Sequence, residues 1–217
     1  MVYQSDVAYT FNNITINLKL LPEVYEPAED SFMMVKVALS EYLTPEDKVL
    51  EIGTGSGIIS AFLKEKGCKV IATDISPYSV KCAKYNNIEV IRCDLFSGIS
   101  NKAKFDVIIF NPPYLPTAEE EKIKGWINYA FDGGADGLKV INRFLNEVHN
   151  YLTENGRVLI LVSDLAGIDY VWKKMESLGF YCEEVHRCKY FFEMLVVIKG
   201  VRCFDCGLRI VDCGLEP

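Results

Sequence analysis

The sequence lacks the features that mark membrane and secreted proteins. None of its apolar runs approaches the roughly 20 residues that a membrane-spanning helix needs. Residues 1–10 include Asp6 and carry no basic run before an apolar segment, so we expect no secretory signal. Both absences favour a cytoplasmic protein.

Histidine and clustered positive charge are also scarce. His149 and His186 are the only histidines, and neither stands at a spacing typical of a metal site or of an activated Ser or Cys nucleophile. This argues against a hydrolase and predicts no metal site in the domain. The net charge is −7, and no cluster of Lys and Arg is available to bind phosphates, so a nucleic-acid partner is not favoured.

Cysteine is frequent, but its distribution does not suggest a disulfide framework. Five of the eight cysteines lie in core-like segments, and we interpret these as reduced structural residues: Cys68, Cys82, Cys93, Cys182 and Cys188. The other three are Cys203, Cys206 and Cys213, in a tail where Asp-Cys-Gly-Leu at 205–208 recurs at 212–215. Zinc needs four ligands, so the tail is either a shared metal site or a loosely docked segment, and its role is left open.

The pattern of apolar segments predicts the fold class. From about residue 30 to residue 200, strand-like runs alternate with helix-like segments, which predicts an α/β, doubly wound, mostly parallel seven-stranded sheet with an antiparallel C-terminal strand. We expect strands at 48–52, 69–73, 88–93, 105–110, 156–162, 181–187 and 191–198, and helices after Asp30, after Gly57, and over 77–85, 138–152 and 168–178. The length suits one domain over 1–200, followed by the tail at 201–217.

The first helix has Asp30 as its candidate N-cap, and Phe32, Val35, Leu39 and Tyr42 recur at helical spacing along one face. Further on, a segment rich in Pro, Gly and Glu at 111–136 is typical of a functional loop. Ligand sites in doubly wound sheets lie at the carboxyl ends of the strands. The residues that follow the strands are therefore the candidates for chemistry.

A glycine-rich turn, Glu-Ile-Gly-Thr-Gly-Ser-Gly at 51–57, follows the first predicted strand. Its spacing differs from the G-x-G-x-x-G fingerprint that aims a helix N-terminus at a pyrophosphate. S-adenosylmethionine has no phosphate, and its amino-acid end and sulfonium could lie over this turn, with Glu51 supplying negative charge. A tight turn without a ligand is the alternative.

Two further acidic residues end the next two strands. Asp74 lies 21 residues beyond Gly53 and could accept both ribose hydroxyls of a nucleoside; it could also, or instead, cap the helix that begins at Pro77. Asp94 could receive an adenine amino group, or it could be a solvated turn residue.

The most informative motif is Asn111-Pro112-Pro113-Tyr114, directly after the strand at 105–110. The two prolines fix the backbone, because each locks its own φ and restricts the residue before it. The Asn111 side-chain oxygen and the Pro112 carbonyl could then accept both hydrogens of a planar NH2 group, whose delocalised lone pair makes it a poor nucleophile. Such hydrogen bonds would orient the group for methyl transfer, and Tyr114 could stack on it.

Together these residues resemble the class I methyltransferases, which have a Rossmann-like fold. Asn-Pro-Pro-Tyr is shared by enzymes that methylate amino groups of adenine, guanine or glutamine. With Tyr-Glu-Pro-Ala-Glu-Asp-Ser at 25–31 and Gly-Gly-Ala-Asp-Gly-Leu at 133–138, the chain is similar to the HemK-type glutamine methyltransferases of the archaeal and eukaryotic branch. The resemblance covers approximately residues 22–200.

The resemblance implies a substrate and a partner. That branch uses S-adenosylmethionine to methylate the glutamine N5 atom of the Gly-Gly-Gln loop in class I translation termination (peptide chain release) factors. Its members work with a small zinc-binding activator protein. A release factor as substrate and a heterodimer with such an activator are therefore expected.

The resemblance also implies the site residues. Those expected to contact the cofactor are Ser31, Glu51, Gly53, Thr54, Gly55, Gly57, Asp74, Ile75, Asp94, Leu95 and Asn111. Those expected to hold the acceptor amide are Asn111, Pro112, Pro113 and Tyr114, of which Asn111, Pro112 and Tyr114 form the catalytic set. Ser31 stands where a threonine is common in the family, and this exchange keeps the hydroxyl.

Other functions remain open on sequence grounds. Methylation of an exocyclic amino group of adenine or guanine in DNA or RNA is chemically allowed, but base flipping calls for a basic face or a recognition domain, and the sequence shows neither. A cofactor-binding scaffold without catalysis and a methyltransferase of small molecules are further alternatives.

Overall fold

The structure is a computed structural model that describes residues 5–190 and 192–202. An antiparallel hairpin of β1 (Ser5–Phe11) and β2 (Ile14–Leu20) precedes the central sheet. The strands of that sheet are β3 (Lys48–Ile52), β4 (Lys69–Asp74), β5 (Val90–Arg92), β6 (Phe105–Phe110), β7 (Leu152–Ser163), β8 (Phe180–Lys189) and β9 (Met194–Arg202). The helices are α1 (Glu29–Ser40), α2 (Ile58–Glu65), α3 (Pro77–Tyr85), α4 (Lys139–Val148) and α5 (Ile168–Ser177).

The strand order β5-β4-β3-β6-β7-β9-β8 confirms the predicted seven-stranded, doubly wound sheet. Neighbouring strands from β5 to β7 are parallel, and β9 runs antiparallel to both of its neighbours. After β3 the chain winds outward to β5 on one side, and after β6 it winds outward to β7 on the other. A crevice therefore opens at the carboxyl ends of β3 and β6, where sheets of this kind bind ligands.

Apolar layers cover both faces of the sheet. Successive residues of a strand point to opposite faces, so Val49 packs against one layer and Leu50 against the other. The hairpin, α1 and α2 cover the Val49 face, and α4 and α5 cover the Leu50 face. Burial on both faces explains why the central strands are continuous apolar runs in the sequence.

The start of α1 differs from the prediction. Asp30 is not the N-cap, because Ala28 holds that position and Asp30 lies buried in the first turn. The predicted apolar face is also wrong at both ends, since Phe32 is 39% exposed and Tyr42, beyond the end of the helix, is 88% exposed. Because α1 packs against both the sheet and α2, most of its circumference is buried and no single stripe describes it.

The hairpin and several boundaries were not predicted. Asn12 and Asn13 form its turn with φ of +48° and +63°, a left-handed conformation that Asn tolerates. The helix expected over 138–152 ends at Val148, because a 3-10 turn at His149–Tyr151 leads directly into β7. The fifth strand of the sheet therefore begins at Leu152 rather than at residue 156.

The five cysteines expected in core-like segments are free thiols, and Cys68, Cys82 and Cys182 among them are buried. Within residues 5–190 and 192–202, no helix combines the length and apolarity needed to cross a membrane. The tail cysteines, and Phe191 at the predicted start of the last strand, lie outside the described residues.

Candidate active site

A cavity of about 690 Å³ opens at the carboxyl edge of the sheet, where the strand order reverses. This volume is in the range of small-molecule sites. The turns that follow β3, β4 and β5 form one side of the cavity. The segment after β6, the residues that precede α1 and the start of α4 form the other side.

The glycine-rich turn after β3 gives the cavity a wall of exposed backbone. Gly53 and Gly55 adopt left-handed φ values of +66° and +55°. A Cβ built on Gly55 would meet no atom within 4 Å, so this backbone faces open space. The Thr54 amide donates to the Thr73 carbonyl at 3.0 Å, which ties the turn to β4. A ligand can therefore approach the main chain closely here.

Glu51 lies buried beneath this turn, with 2% of its surface exposed. Its Oε2 accepts hydrogen bonds from Thr54 Oγ1 at 2.8 Å, from the Ser60 amide at 3.1 Å and from the Ser60 hydroxyl. Burial raises the pKa of Glu51 to about 7, even though these hydrogen bonds lower it. A buried carboxylic acid whose pKa lies near neutral pH is therefore positioned directly behind the cavity.

The raised pKa of Glu51 leads to a testable pH dependence of stability. The folded state binds this proton more tightly than the unfolded chain, so the contribution of Glu51 to stability falls as pH rises from 4.5 to about 7. We expect the unfolding free energy of Glu51→Gln to gain about 3 kcal/mol on the wild type across this window. Denaturant unfolding between pH 4.5 and pH 8 measures this difference, with the exposed Glu154→Gln as control. A difference that stays constant with pH would contradict the raised pKa.

Asp74, at the end of β4, connects the glycine-rich turn to α3. Its Oδ2 accepts from the Gly55 amide at 2.9 Å, and its Oδ1 accepts from the Ser76 amide at 2.8 Å. The N-cap of α3 is Ser76, so the capping alternative for Asp74 is wrong. Burial raises the pKa of Asp74. Each carboxylate oxygen can accept a further hydrogen bond, and the residue lines the cavity.

Asp94 and Leu95 line the cavity beyond β5. The Asp94 Oδ2 lies 2.7 Å from a guanidinium nitrogen of Arg143 on α4, in a partly exposed ion pair. Leu95 is buried and adopts a left-handed φ of +49°. Since the ion pair engages one carboxylate oxygen of Asp94, the other oxygen can still accept a hydrogen bond.

A hydrogen bond to a neighbouring carboxylate defines the orientation of the side-chain amide of Asn111, directly after β6. Its Nδ2 donates to Asp30 Oδ2 at 2.8 Å. Its Oδ1 is buried and has no hydrogen-bond partner among the described residues. Buried polar atoms are nearly always paired, so this oxygen, in a residue that lines the cavity, is available to a water or to a ligand with an N–H or O–H group.

The three sequence motifs at 25–31, 111–114 and 133–138 meet around Asn111. Asp30 Oδ1 also accepts from the Tyr25 hydroxyl at 3.0 Å, and the Tyr25 ring meets Phe131 edge-on with centroids 5.3 Å apart. Leu115 follows Tyr114 directly. Its amide donates to the Phe131 carbonyl, and its carbonyl accepts from the Gly133 amide. Burial, and then the charge of Asp30, raise the pKa of Tyr25. The hydroxyl therefore stays protonated and remains a donor.

Tyr114 does not present its ring to the cavity. Its hydroxyl donates to Glu193 Oε1 at 3.3 Å, and Glu193 Oε2 in turn accepts from Ser163 Oγ at 2.7 Å. The ring packs against the apolar layers, and Tyr114 is not one of the described residues that line the cavity. These contacts brace the segment after β6, and stacking on an acceptor group stays a prediction.

The cavity brings together most of the residues expected to contact the cofactor or the acceptor. It is lined by Ser31, Glu51, Gly53, Thr54, Gly55, Asp74, Ile75, Asp94, Leu95, Asn111, Pro112 and Pro113. Gly57 is not among these lining residues. It is the N-cap of α2, at φ +87°, and a Cβ there would lie 3.2 Å from Ile88. The left-handed backbone conformation and this close packing explain why position 57 carries a glycine.

One wall of the cavity was not predicted in detail. Residues 122–132 cross it, including a 3-10 helix at Trp126–Ala130. Glu23 Oε2 accepts from the amides of Trp126 at 2.9 Å and Ile127 at 3.4 Å, and Arg92 lies 5.6 Å from the Trp126 ring centroid. Glu23 and Trp126 are 103 positions apart, so no local pattern reveals this anchor. Across the described residues, no group of three His, Cys, Asp or Glu could hold a metal ion.

Comparison with known protein sequences gives consistent matches. Residues 31–191 match the family described as Methyltransferase small domain. A Methanocaldococcus jannaschii protein, provisionally named a protein N5-glutamine methyltransferase, is 47% identical over 194 residues, covering 86% of this chain and 96% of that protein. Methyltransferase HEMK2 of Mus musculus is 33% identical over 170 residues, covering 72% of this chain and 79% of that protein.

A solved structure agrees with these matches. The E. cuniculi Mtq2–Trm112 complex, described as responsible for methylation of the eRF1 translation termination factor, gives a TM-score of 0.69 at 28% identity. The similarity covers 83% of this chain and 99% of that one. Because the family match spans most of the sheet and the cavity, the chain belongs to the Methyltransferase small domain family, and its relatives place it among the HemK-type methyltransferases.

Proposed function

We propose that this protein is an S-adenosylmethionine-dependent enzyme that methylates the glutamine N5 atom in the Gly-Gly-Gln loop of a class I translation termination factor. The observation that carries this proposal is the buried, unpaired Oδ1 of Asn111 beside the cavity. A primary amide offers the N–H donor that this oxygen lacks. Relatives named for glutamine N5 methylation and for eRF1 methylation support an amide of a release factor as the acceptor.

The cavity suits S-adenosylmethionine, which carries ribose hydroxyls, an adenine amino group and two positive centres. Asp74 could accept from the ribose, and Asp94 from the adenine amino group. The open backbone at Gly55 leaves room for the methionine end. The buried carboxyl group of Glu51 would place negative charge near the sulfonium and the ammonium. When bound, the cofactor supplies a methyl group on a positively charged sulfur.

The residues after β6 address the weak nucleophilicity of an amide. The Asn111 side-chain oxygen and the Pro112 carbonyl would each accept one N–H of the substrate amide and turn its nitrogen toward the methyl group. As the amide nitrogen accepts the methyl group it would become positive, and both of its N–H groups would become stronger donors. The two hydrogen bonds therefore strengthen in the transition state, which is the condition for catalysis. One N–H proton then leaves to water.

A heterodimer with a small zinc-binding activator protein is also part of this proposal. Its support is the solved complex of the similar methyltransferase Mtq2 with Trm112. Adding such an activator is expected to raise methyl transfer to the release factor. A release factor as substrate would place the reaction in the cytoplasm.

Transfer of a labelled methyl group tests the proposal. The protein is incubated with methyl-labelled S-adenosylmethionine and the matching release factor, with and without a candidate activator. Label in the factor that disappears when the Gly-Gly-Gln glutamine is replaced by Glu is the expected result. If a factor-free reaction with RNA, DNA or a small-molecule extract incorporates label while the factor does not, the proposed substrate is wrong.

A further inference from the structure

We propose that Asp30 is a positioning residue that fixes which side of the Asn111 amide meets the substrate. The kinetic part of this inference rests on the proposed function, whereas the orientation itself does not. Asp30 is not among the residues that the sequence predicted to contact the cofactor or the substrate. Its position in the first turn of α1 and its contact with Asn111 suggest the role.

The starting observation is a choice between two orientations of one amide. Rotation of Asn111 by 180° about its last side-chain torsion would exchange Oδ1 and Nδ2 with little change in shape. In the observed orientation Nδ2 donates to Asp30, and Oδ1 has no partner among the described residues, in a side chain that lines the cavity. In the rotated orientation two acceptor oxygens would face each other, and the NH2 group would face the hydrogens of the substrate amide. A carboxylate opposite Nδ2 therefore selects the orientation that can bind an NH2 group.

Asp30 is itself held firmly enough to impose this choice. It is 7% exposed, and its Oδ1 accepts from the Ser31 amide at 2.7 Å and from the Tyr25 hydroxyl at 3.0 Å. The free N–H groups of the first helical turn also favour a negative charge at this position. The oxygen that faces Asn111 is thus fixed by contacts with the other oxygen of the same carboxylate.

The charge of Asp30 has a second consequence for Asn111. When a charged acceptor binds the Nδ2 hydrogen, it polarises the amide and makes Oδ1 a stronger acceptor, as happens along chains of hydrogen bonds. The stronger acceptor stabilises mainly the step in which the substrate nitrogen becomes positive. Asp30 should therefore affect turnover much more than cofactor affinity.

The orientation can be measured without any substrate. In ¹H–¹⁵N spectra the side-chain NH2 signal of Asn111, assigned through its loss in Asn111→Ala, is expected to show one proton shifted downfield by the carboxylate. In Asp30→Asn and Asp30→Ala this downfield shift is expected to disappear, while the side-chain signal of the distant Asn101 stays in place. An Asn111 signal that is the same in the wild type and in both variants would overturn the proposal.

An exchange of the two side chains gives the kinetic test. In Asp30→Asn combined with Asn111→Asp, the NH2 of residue 30 donates to the carboxylate of residue 111, which again presents an oxygen to the cavity. We expect each single variant to lose about 10²-fold in kcat, and the double variant to recover at least about tenfold of that loss. The KM for cofactor should stay within about threefold in Asp30→Asn, since the change acts on the acceptor amide.

The outcomes separate this inference from the proposed function. A double variant that binds cofactor and unfolds like the wild type, yet is no faster than the single variants, would contradict the role of Asp30. Wild-type kcat in Asp30→Asn would contradict it as well. If the wild-type protein methylates no release factor, the proposed function fails, and the NMR comparison still decides whether Asp30 orients Asn111.

Discussion

Replacement of Asn111 by Ala is expected to lower kcat for methyl transfer about 10³-fold and to leave the cofactor dissociation constant within about threefold of the wild type. Within the described residues, its Oδ1 is a buried side-chain oxygen without a hydrogen-bond partner, and that oxygen is the proposed acceptor for the substrate N–H. Its contribution grows as the nitrogen becomes positive, so turnover falls while the ground state is little affected. Single-turnover kinetics with saturating cofactor measures the loss.

The matched control for this prediction is Asn101→Ala, since Asn101 is exposed and does not line the cavity. It should keep wild-type turnover. Turnover of Asn111→Ala within about tenfold of the wild type would show that methyl transfer does not depend on this oxygen.

The second large effect is expected at Asp74, on cofactor binding. Its carboxylate lies buried in the wall of the cavity, and we expect Asp74→Ala to weaken S-adenosylmethionine binding about 10³-fold through the loss of two hydrogen bonds to a charged group. Asp74→Asn should lose less, because one acceptor oxygen remains. Isothermal titration calorimetry gives both dissociation constants.

The Asp74 variants also lose contacts within the protein, so folding must be checked in parallel. Asp74 accepts from the Gly55 and Ser76 amides, and its removal is expected to lower the melting temperature as well. Asp6→Ala, at an exposed aspartate on β1 that does not line the cavity, is the control that should change neither quantity. A folded Asp74→Ala that binds cofactor as the wild type does would refute its proposed contact with the ribose.

The parts of the fold that depend on buried periodicity were predictable. β3 and β6 are buried on both faces, which forces continuous apolar runs that are easy to recognise. The hairpin at 5–20 was missed although its strands alternate between apolar and polar residues and Asn12-Asn13 is a typical turn pair. The failure at α1 has a different cause. α2 packs against the helix on a second side, and a helix pattern read alone cannot reveal that contact.

The candidate site was predictable to the extent that it follows strand ends. Gly55, Asp74 and Asn111 lie at or shortly after the carboxyl ends of parallel strands, and the topology of the sheet brings them to one edge. The contact between Asp30 and Asn111 joins residues 81 positions apart, and its donor and acceptor geometry depends on how α1 packs. The position of Tyr114 likewise depends on Glu193 in a distant segment. Such pairings require tertiary structure, which single-sequence patterns do not contain.

Tandem mass spectrometry of the release factor after reaction tests the central claim most directly. The protein, with its activator, is incubated with S-adenosylmethionine and the factor, and the peptide that contains Gly-Gly-Gln is fragmented. The expected result is one added methyl group on the side-chain amide of that glutamine, absent when Asn111→Ala replaces the wild type. A methyl group on any other residue, or an unmodified factor beside methylated nucleic acid, would contradict the account.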